Sequence, residues 1–236
     1  MHRRLRTSLI SPALAVLLVI AATVGGWANG SPGPQASATA EGATTDAIID
    51  RILHRNPGLR SYSAQTRIDV RQVNFPYLHP VLQGTEYYTS PGVAVFDFPH
   101  APGYLKGLTK VESTAYSVNR WQRCYDIGVS DQSSQAILHM VPKIRGEVSD
   151  VYVTVSKPDY ELAHIEWFYH NPGDHVSLWQ TYGNVQGYSV LTAQQSDITL
   201  HHIRAKGSSS FWDFQFNLPV PTPTPTPSDP LHQCDN

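Results

Sequence analysis

Tyr62-Ser63-Ala64-Gln65-Thr66-Arg67-Ile68-Asp69-Val70-Arg71 sets Tyr62, Ala64, Thr66, Ile68 and Val70 in strict alternation with Ser63, Gln65, Arg67, Asp69 and Arg71. Successive side chains of a strand point to opposite faces, so the segment is one β-strand with a buried face and a wet face. Upstream the period is different. Over Asp46 to Arg55, Ile48, Ile49, Ile52 and Leu53 share one helical face. Asp46 falls in the first turn and Arg51, His54 and Arg55 in the last, which complements the helix dipole at both ends. Asn56-Pro57-Gly58 stops that helix.

Downstream, period-two runs recur at 82–89, 92–98, 117–129, 135–142, 148–156, 161–170, 174–183, 187–198 and 202–217. Ser90-Pro91-Gly92, Lys157-Pro158-Asp159, Asn171-Pro172-Gly173-Asp174 and Tyr182-Gly183-Asn184 carry the turn chemistry between them. Connections this short make hairpins, so the sheet is expected to be a long, curved, antiparallel meander. Pro99 to Val111 breaks the pattern: Tyr104, Leu105, Leu108 and Val111 recur at helical or loop spacing. It reads as a short helix or flap.

Composition agrees. Of 236 residues, 41% are hydrophobic and 10% aromatic, enough for one sizeable core, and only 15% are charged. Sixteen Gly and 18 Pro with few charges favour a β-rich domain over a helical bundle. Arg3, Arg4 and Arg6 are the only charged residues of the first 30, so the remainder carries −5 against −2 for the whole chain. There is no basic block, and phosphate-driven nucleic-acid binding is not expected.

The two ends stand apart from the fold. A cationic start, an apolar stretch from Leu9 to Val24 and small residues beyond it make residues 1–28 a signal peptide, with an uncleaved anchor as the rival. Residues 29–43 read as a flexible spacer, 44–218 as the folded domain and 219–236 as a disordered Pro/Thr-rich tail. The two cysteines are Cys124, in a stretch that reads as strand, and Cys234, in the tail. They could pair in an oxidising compartment; the plainer reading is a semi-buried Cys124 and a loose Cys234.

Catalytic signatures are missing: there is no G-x-S-x-G elbow, H-E-x-x-H, phosphate-binding loop or dinucleotide fingerprint. His164, Glu166 and His170 share one strand face opposite Ala163, Ile165, Trp167 and Tyr169. That arrangement suits the solvated side of a strand better than a metal site. No catalytic residue, metal or cofactor is expected. The aromatic residues Tyr87, Tyr88, Phe96, Phe98, Trp167, Tyr169, Trp179, Tyr182, Trp212, Phe214 and Phe216 spread over most strands. They either fill a core or line an apolar cavity inside a curved sheet, and composition does not separate the two.

Two stretches carry a family likeness. Thr45 to Leu53 with Leu59 to Ala64, and the hairpin Gly84-Thr85-Glu86-Tyr87-Tyr88-Thr89-Ser90-Pro91-Gly92-Val93-Ala94-Val95-Phe96-Asp97-Phe98, resemble the opening of LolA-like outer-membrane lipoprotein-sorting proteins. The likeness is a pattern of hydrophobic positions and turns over most of 44–218. It implies a mostly β (α+β) fold: a half-open antiparallel β-barrel with one N-terminal helix and a short lid helix or flap. It also implies a non-catalytic, monomeric carrier of the periplasm or cell envelope that shelters a lipid or lipoprotein acyl chains in an apolar cavity. Exposing a methylene to water costs about 0.8 kcal/mol, which is why such a carrier needs an apolar lining. The lining is expected from Ile68, Val70, Phe96, Ile165, Trp167, Tyr169 and Phe214, and the lid from Tyr104, Leu105 and Leu108. One departure stands out: LolA carriers have an Arg immediately before the hairpin proline, and here that position is Ser90, which lacks a guanidinium's several donors. The other reading of the same fold is an envelope interaction or sensor module with a filled core and an envelope protein as partner.

Overall fold

The computed structural model describes residues 44–90, 92–101, 110–113 and 118–221. The expected signal peptide and spacer, the lid residues Tyr104, Leu105 and Leu108, and the tail from residue 222, with Cys234, lie outside the described residues.

Helix α1 (Thr45–Leu53) starts on Thr44, whose hydroxyl accepts from the Ala47 amide at 3.3 Å, and buries Ile48, Ile49 and Ile52. Strand β1 (Ser61–Gln72) follows, with Tyr62, Ala64, Thr66, Ile68 and Val70 buried and Gln65, Arg67 and Arg71 exposed. Its neighbours in sequence are β2 (Val81–Thr89), β3 (Val93–Asp97) and β4 (Lys110–Ser113). After helix α2 (Val118–Cys124) come β5 (Tyr125–Asp131), β6 (Gln135–Pro142), β7 (Val148–Ser156), β8 (Glu161–Tyr169), β9 (His175–Val185), β10 (Tyr188–Leu200) and β11 (Ile203–Phe216).

The described residues form one antiparallel sheet of eleven strands in the order β4-β3-β2-β1-β11-β10-β9-β8-β7-β6-β5. The meander is therefore not continuous. It runs outward from β1 to the β4 edge, restarts at the opposite β5 edge and returns until β11 pairs with β1, setting Ile68 opposite Ser209 and Thr66 opposite Phe211. The two edges do not pair, so the barrel stays open.

Two expectations are corrected locally. The run 117–129, Cys124 included, is not one strand but α2 followed by β5. Val118, Trp121 and Cys124 recur every third residue and are all buried, a helical spacing that lets α2 pack on α1 and β5. Cys124 is disulfide-bonded rather than free. The hairpin between β9 and β10 turns not at Tyr182-Gly183-Asn184 but at Gln186-Gly187, where φ is 53° and 88°. Positive φ at both central positions is the turn geometry that matches strand twist. The last two residues of the expected flap, Lys110 and Val111, begin strand β4, which pairs with β3.

The inner side holds two apolar clusters. One is built within the sheet, from β1, β2, β3, β9, β10 and β11, with Ile68, Val70, Leu82, Phe96, Phe98 and Phe211 among its members. The other places Ile48, Ile49 and Ile52 of α1 and Val118 and Trp121 of α2 over Leu138, Val153, Leu162, Ile165 and Leu178. Trp167 and Tyr169, both partly buried, pack against both clusters.

Candidate functional site

Where α1 ends, the chain meets the β2–β3 hairpin and the start of α2. Ile52, Leu53, Arg55, Asn56, Leu59, Tyr88, Ser90, Gly92, Val118 and Leu162 line a groove there of about 430 Å³, counting space open to solvent. Leucine, isoleucine and valine side chains make half of the wall. Arg55, Asn56, Tyr88 and Ser90 are its polar part.

Each polar group is held by its neighbours. Asn56 is spent on β10, donating to the Ser189 carbonyl and accepting from its amide. The Arg55 guanidinium lies over the Tyr182 ring, 4.6 Å from its centroid, and the Tyr182 hydroxyl donates to Gln180 Oε1 at 3.1 Å. Burial works against the Arg55 charge, but the Tyr182 hydroxyl, with Tyr88 and Tyr62 behind it, outweighs that and its pKa rises. Burial also pushes Tyr62, Tyr88 and Tyr182 up. Tyr62 stacks on Tyr88 with centroids 4.9 Å apart.

Beside these tyrosines, within the sheet-built cluster, sits Glu86 of β2. It is fully buried, and neither carboxylate oxygen has a hydrogen-bond partner in good geometry. Desolvation pushes its pKa up to about 8; the Tyr62 hydroxyl approaches closely enough to oppose that weakly. A neutral carboxylic acid is the form such a site favours.

The seven residues expected to line a cavity all pack into the clusters. Ile68, Val70, Phe96 and Ile165 are at most 5% exposed, and Trp167, Tyr169 and Phe214 are partly buried. None of them lines the groove at the end of α1. The aromatic residues divide: Phe96 and Phe98 stack inside at 5.9 Å, whereas Trp179 and Trp212 are 45% and 40% exposed on the outside. His164 stacks on Trp179 at 4.8 Å, and Glu166 accepts from the Ser177 hydroxyl at 3.2 Å. Among the described residues no three His, Cys, Asp or Glu side chains are grouped to hold a metal ion.

Sequence reasoning did not single out Arg55 or Glu86 as site residues, although a signal existed for each. Arg55 closes the helix span expected from the sequence, three residues after Ile52 and seven after Ile48, although the helix itself ends at Leu53. Glu86 has the inward parity of β2, opposite the buried Ala64 of β1, as Leu82 lies opposite Ile68.

The architecture defines a class: an open antiparallel half-barrel with helices laid on part of its inner face. Solved structures share it. An outer membrane lipoprotein-sorting protein domain from Vibrio parahaemolyticus, as that structure is described, aligns with 74% of this chain and 92% of its own at a TM-score of 0.55 and 10% identity. A DUF1329 family protein from Desulfovibrio piger aligns with 75% of this chain and 94% of its own at a TM-score of 0.52 and 8% identity. The LolA-like likeness read from the sequence is thus met at the level of the fold. No protein-family model matches the chain, and no curated protein matches it by sequence.

Proposed function

We propose that this protein is a non-catalytic carrier of the periplasm or cell envelope that shelters a lipid or the acyl chains of a lipoprotein. The observation that carries the reading is the seam between the two inner clusters. Among the described residues α1 and α2 contribute to one of these clusters and not to the other, and Trp167 and Tyr169, themselves only partly buried, pack against both. A chain entering there would displace aromatic contacts rather than break strand hydrogen bonds, since α1 and α2 are not part of the sheet. Ile68, Val70, Phe96, Ile165 and Phe214 would then line the opened space with Trp167 and Tyr169, and Tyr104, Leu105 and Leu108 remain the lid candidates. The fold shared with a lipoprotein-sorting domain supports this. Among the described residues no helix is long and apolar enough to cross a membrane.

Native mass spectrometry of the exported protein, purified without detergent, tests the reading. An adduct in the lipid mass range that organic extraction removes is the expected result. Trp167→Asp should lose the adduct while remaining folded by circular dichroism. The close packing of Ile68, Val70, Phe96 and Ile165 favours a second reading, an envelope interaction module with a filled core and a protein partner. A protein that stays free of adduct after incubation with phospholipid and a triacylated peptide would make that second reading the better one.

A further inference from the structure

Arg55 is an odd residue to find on the groove wall. It stands two residues beyond the end of α1, where the chain leaves the helix beside Ile52 and Leu53 on the groove wall. There it lies over the Tyr182 ring and within hydrogen-bonding reach of that hydroxyl, and its other neighbours on the groove are apolar side chains, the Tyr88 and Ser90 hydroxyls and the Asn56 amide. Among the described residues it forms no ion pair: the acids of β1, β5, β7 and β10 that do pair take Arg67, Lys143, Lys157, Lys206 or a histidine. Glu161, at the start of β8, accepts from the Ser189 hydroxyl instead. A ring face offsets only part of the cost of holding a cation away from water. The Tyr88 and Ser90 hydroxyls, hydrogen-bonded to each other, line the same groove, while Ile52, Leu53, Leu59, Val118 and Leu162 make its apolar wall.

We propose that this groove binds the oxyanion head of an acyl amphiphile, a carboxylate or a phosphate ester, with Arg55 as counter-ion and the first methylenes against Ile52, Leu59 and Leu162. The proposal rests on the carrier reading and names the ligand class for it. A bidentate guanidinium–oxyanion pair in a partly desolvated groove is strong, and it discriminates against a neutral head of the same chain length. Arg55 would thereby select which amphiphiles the carrier accepts.

Calorimetric titration of the delipidated protein, below the micelle concentration, tests it with chain-matched probes: laurate against dodecanol, and lauroyl lysophosphatidic acid against monolaurin. Each anionic probe should bind at least tenfold more tightly than its neutral match. Arg55→Gln should erase that preference while leaving the neutral probes within twofold, and Arg55→Lys should keep part of it. Preference for laurate or for lysophosphatidic acid identifies the head as carboxylate or phosphate. Inorganic phosphate binding as tightly as the lysolipid would overturn the proposal in favour of a free-anion site. Equal affinity for anionic and neutral probes would overturn it and leave the carrier reading standing, and binding of none of the four would remove both. Should Arg55→Gln fail to fold, the charge preference of the natural protein and its retention in Arg55→Lys still decide.

Discussion

The side-chain amide of Asn56 pairs with both backbone groups of Ser189, donating from Nδ2 to the carbonyl at 2.7 Å and accepting at Oδ1 from the amide at 2.8 Å. The two residues are 133 positions apart in the chain. The bond pair fastens the segment just after α1 to the start of β10, immediately beside Arg55. The helix that covers the second cluster is therefore pinned at its C-terminal end by hydrogen bonds that no sheet register provides.

Asn56→Ala should destabilise the fold by about 1–3 kcal/mol, because it leaves two partly buried backbone groups without partners. Urea denaturation would measure this as a lower midpoint with an unchanged slope. An unaltered midpoint would mean that water replaces the side chain.

Glu86 should make stability fall as pH rises. Below about pH 4.5 the carboxyl is protonated in both folded and unfolded chains and contributes nothing. Between 4.5 and about 8 the unfolded chain releases its proton while the folded one keeps it, so stability is lost, and above 8 the full penalty is present. The pKa difference corresponds to a loss of up to about 5 kcal/mol. Denaturation midpoints at pH 5 and pH 8 should show the loss, and Glu86→Gln should flatten it.

Gly84→Ala should cost about 1–3 kcal/mol or more, the range for forcing extra volume into a packed site. A Cβ at Gly84 would run into the backbone carbonyl of Asp97 and lie 2.8 Å from the Phe98 ring. Backbone cannot move aside as a flexible side chain can. Thermal unfolding of the variant is the check, with Gly146→Ala, where a Cβ meets nothing within 4 Å, as the neutral control.

Arg51 donates to the Tyr160 hydroxyl at 3.1 Å and lies 5.1 Å from its ring centre, a second arginine–tyrosine stack that ties α1 to the β7–β8 connection. A double-mutant cycle of Arg51→Ala and Tyr160→Ala should give a coupling of about 0.5–1 kcal/mol, as for a solvent-exposed pair.

Thiol titration of the denatured protein should find fewer than two reactive cysteines per chain before reduction and two after it, because Cys124 is disulfide-bonded and the chain has two cysteines. Two thiols without reduction would contradict the bond at Cys124.

Much of this was legible in the residue order. The alternation through Tyr62 to Val70, the isoleucine spacing of α1 and turns such as Asn171-Pro172-Gly173-Asp174 are local properties, and local energetics answer to them. Most predicted strands accordingly end within two residues of the observed ones. The misreading at 117–129 came where two local signals conflict. Val118, Trp121 and Tyr125 favour a strand by residue type, while the three-residue spacing of Val118, Trp121 and Cys124 favours a helix, and packing against α1 settled it.

The sequence by itself determined an antiparallel, hairpin-built sheet with one amphipathic helix ahead of it, since period and turn chemistry act between residues close in the chain. Only the tertiary structure decided that β11 returns to β1, that Trp179 and Trp212 face water while Phe96 and Phe98 stack inside, that Glu86 is buried and that Arg55 lies on a groove over Tyr182. Those outcomes depend on contacts between residues far apart in the chain. Whether a charge such as Arg55 or Glu86 meets water or a tyrosine ring is set by which distant strand arrives beside it.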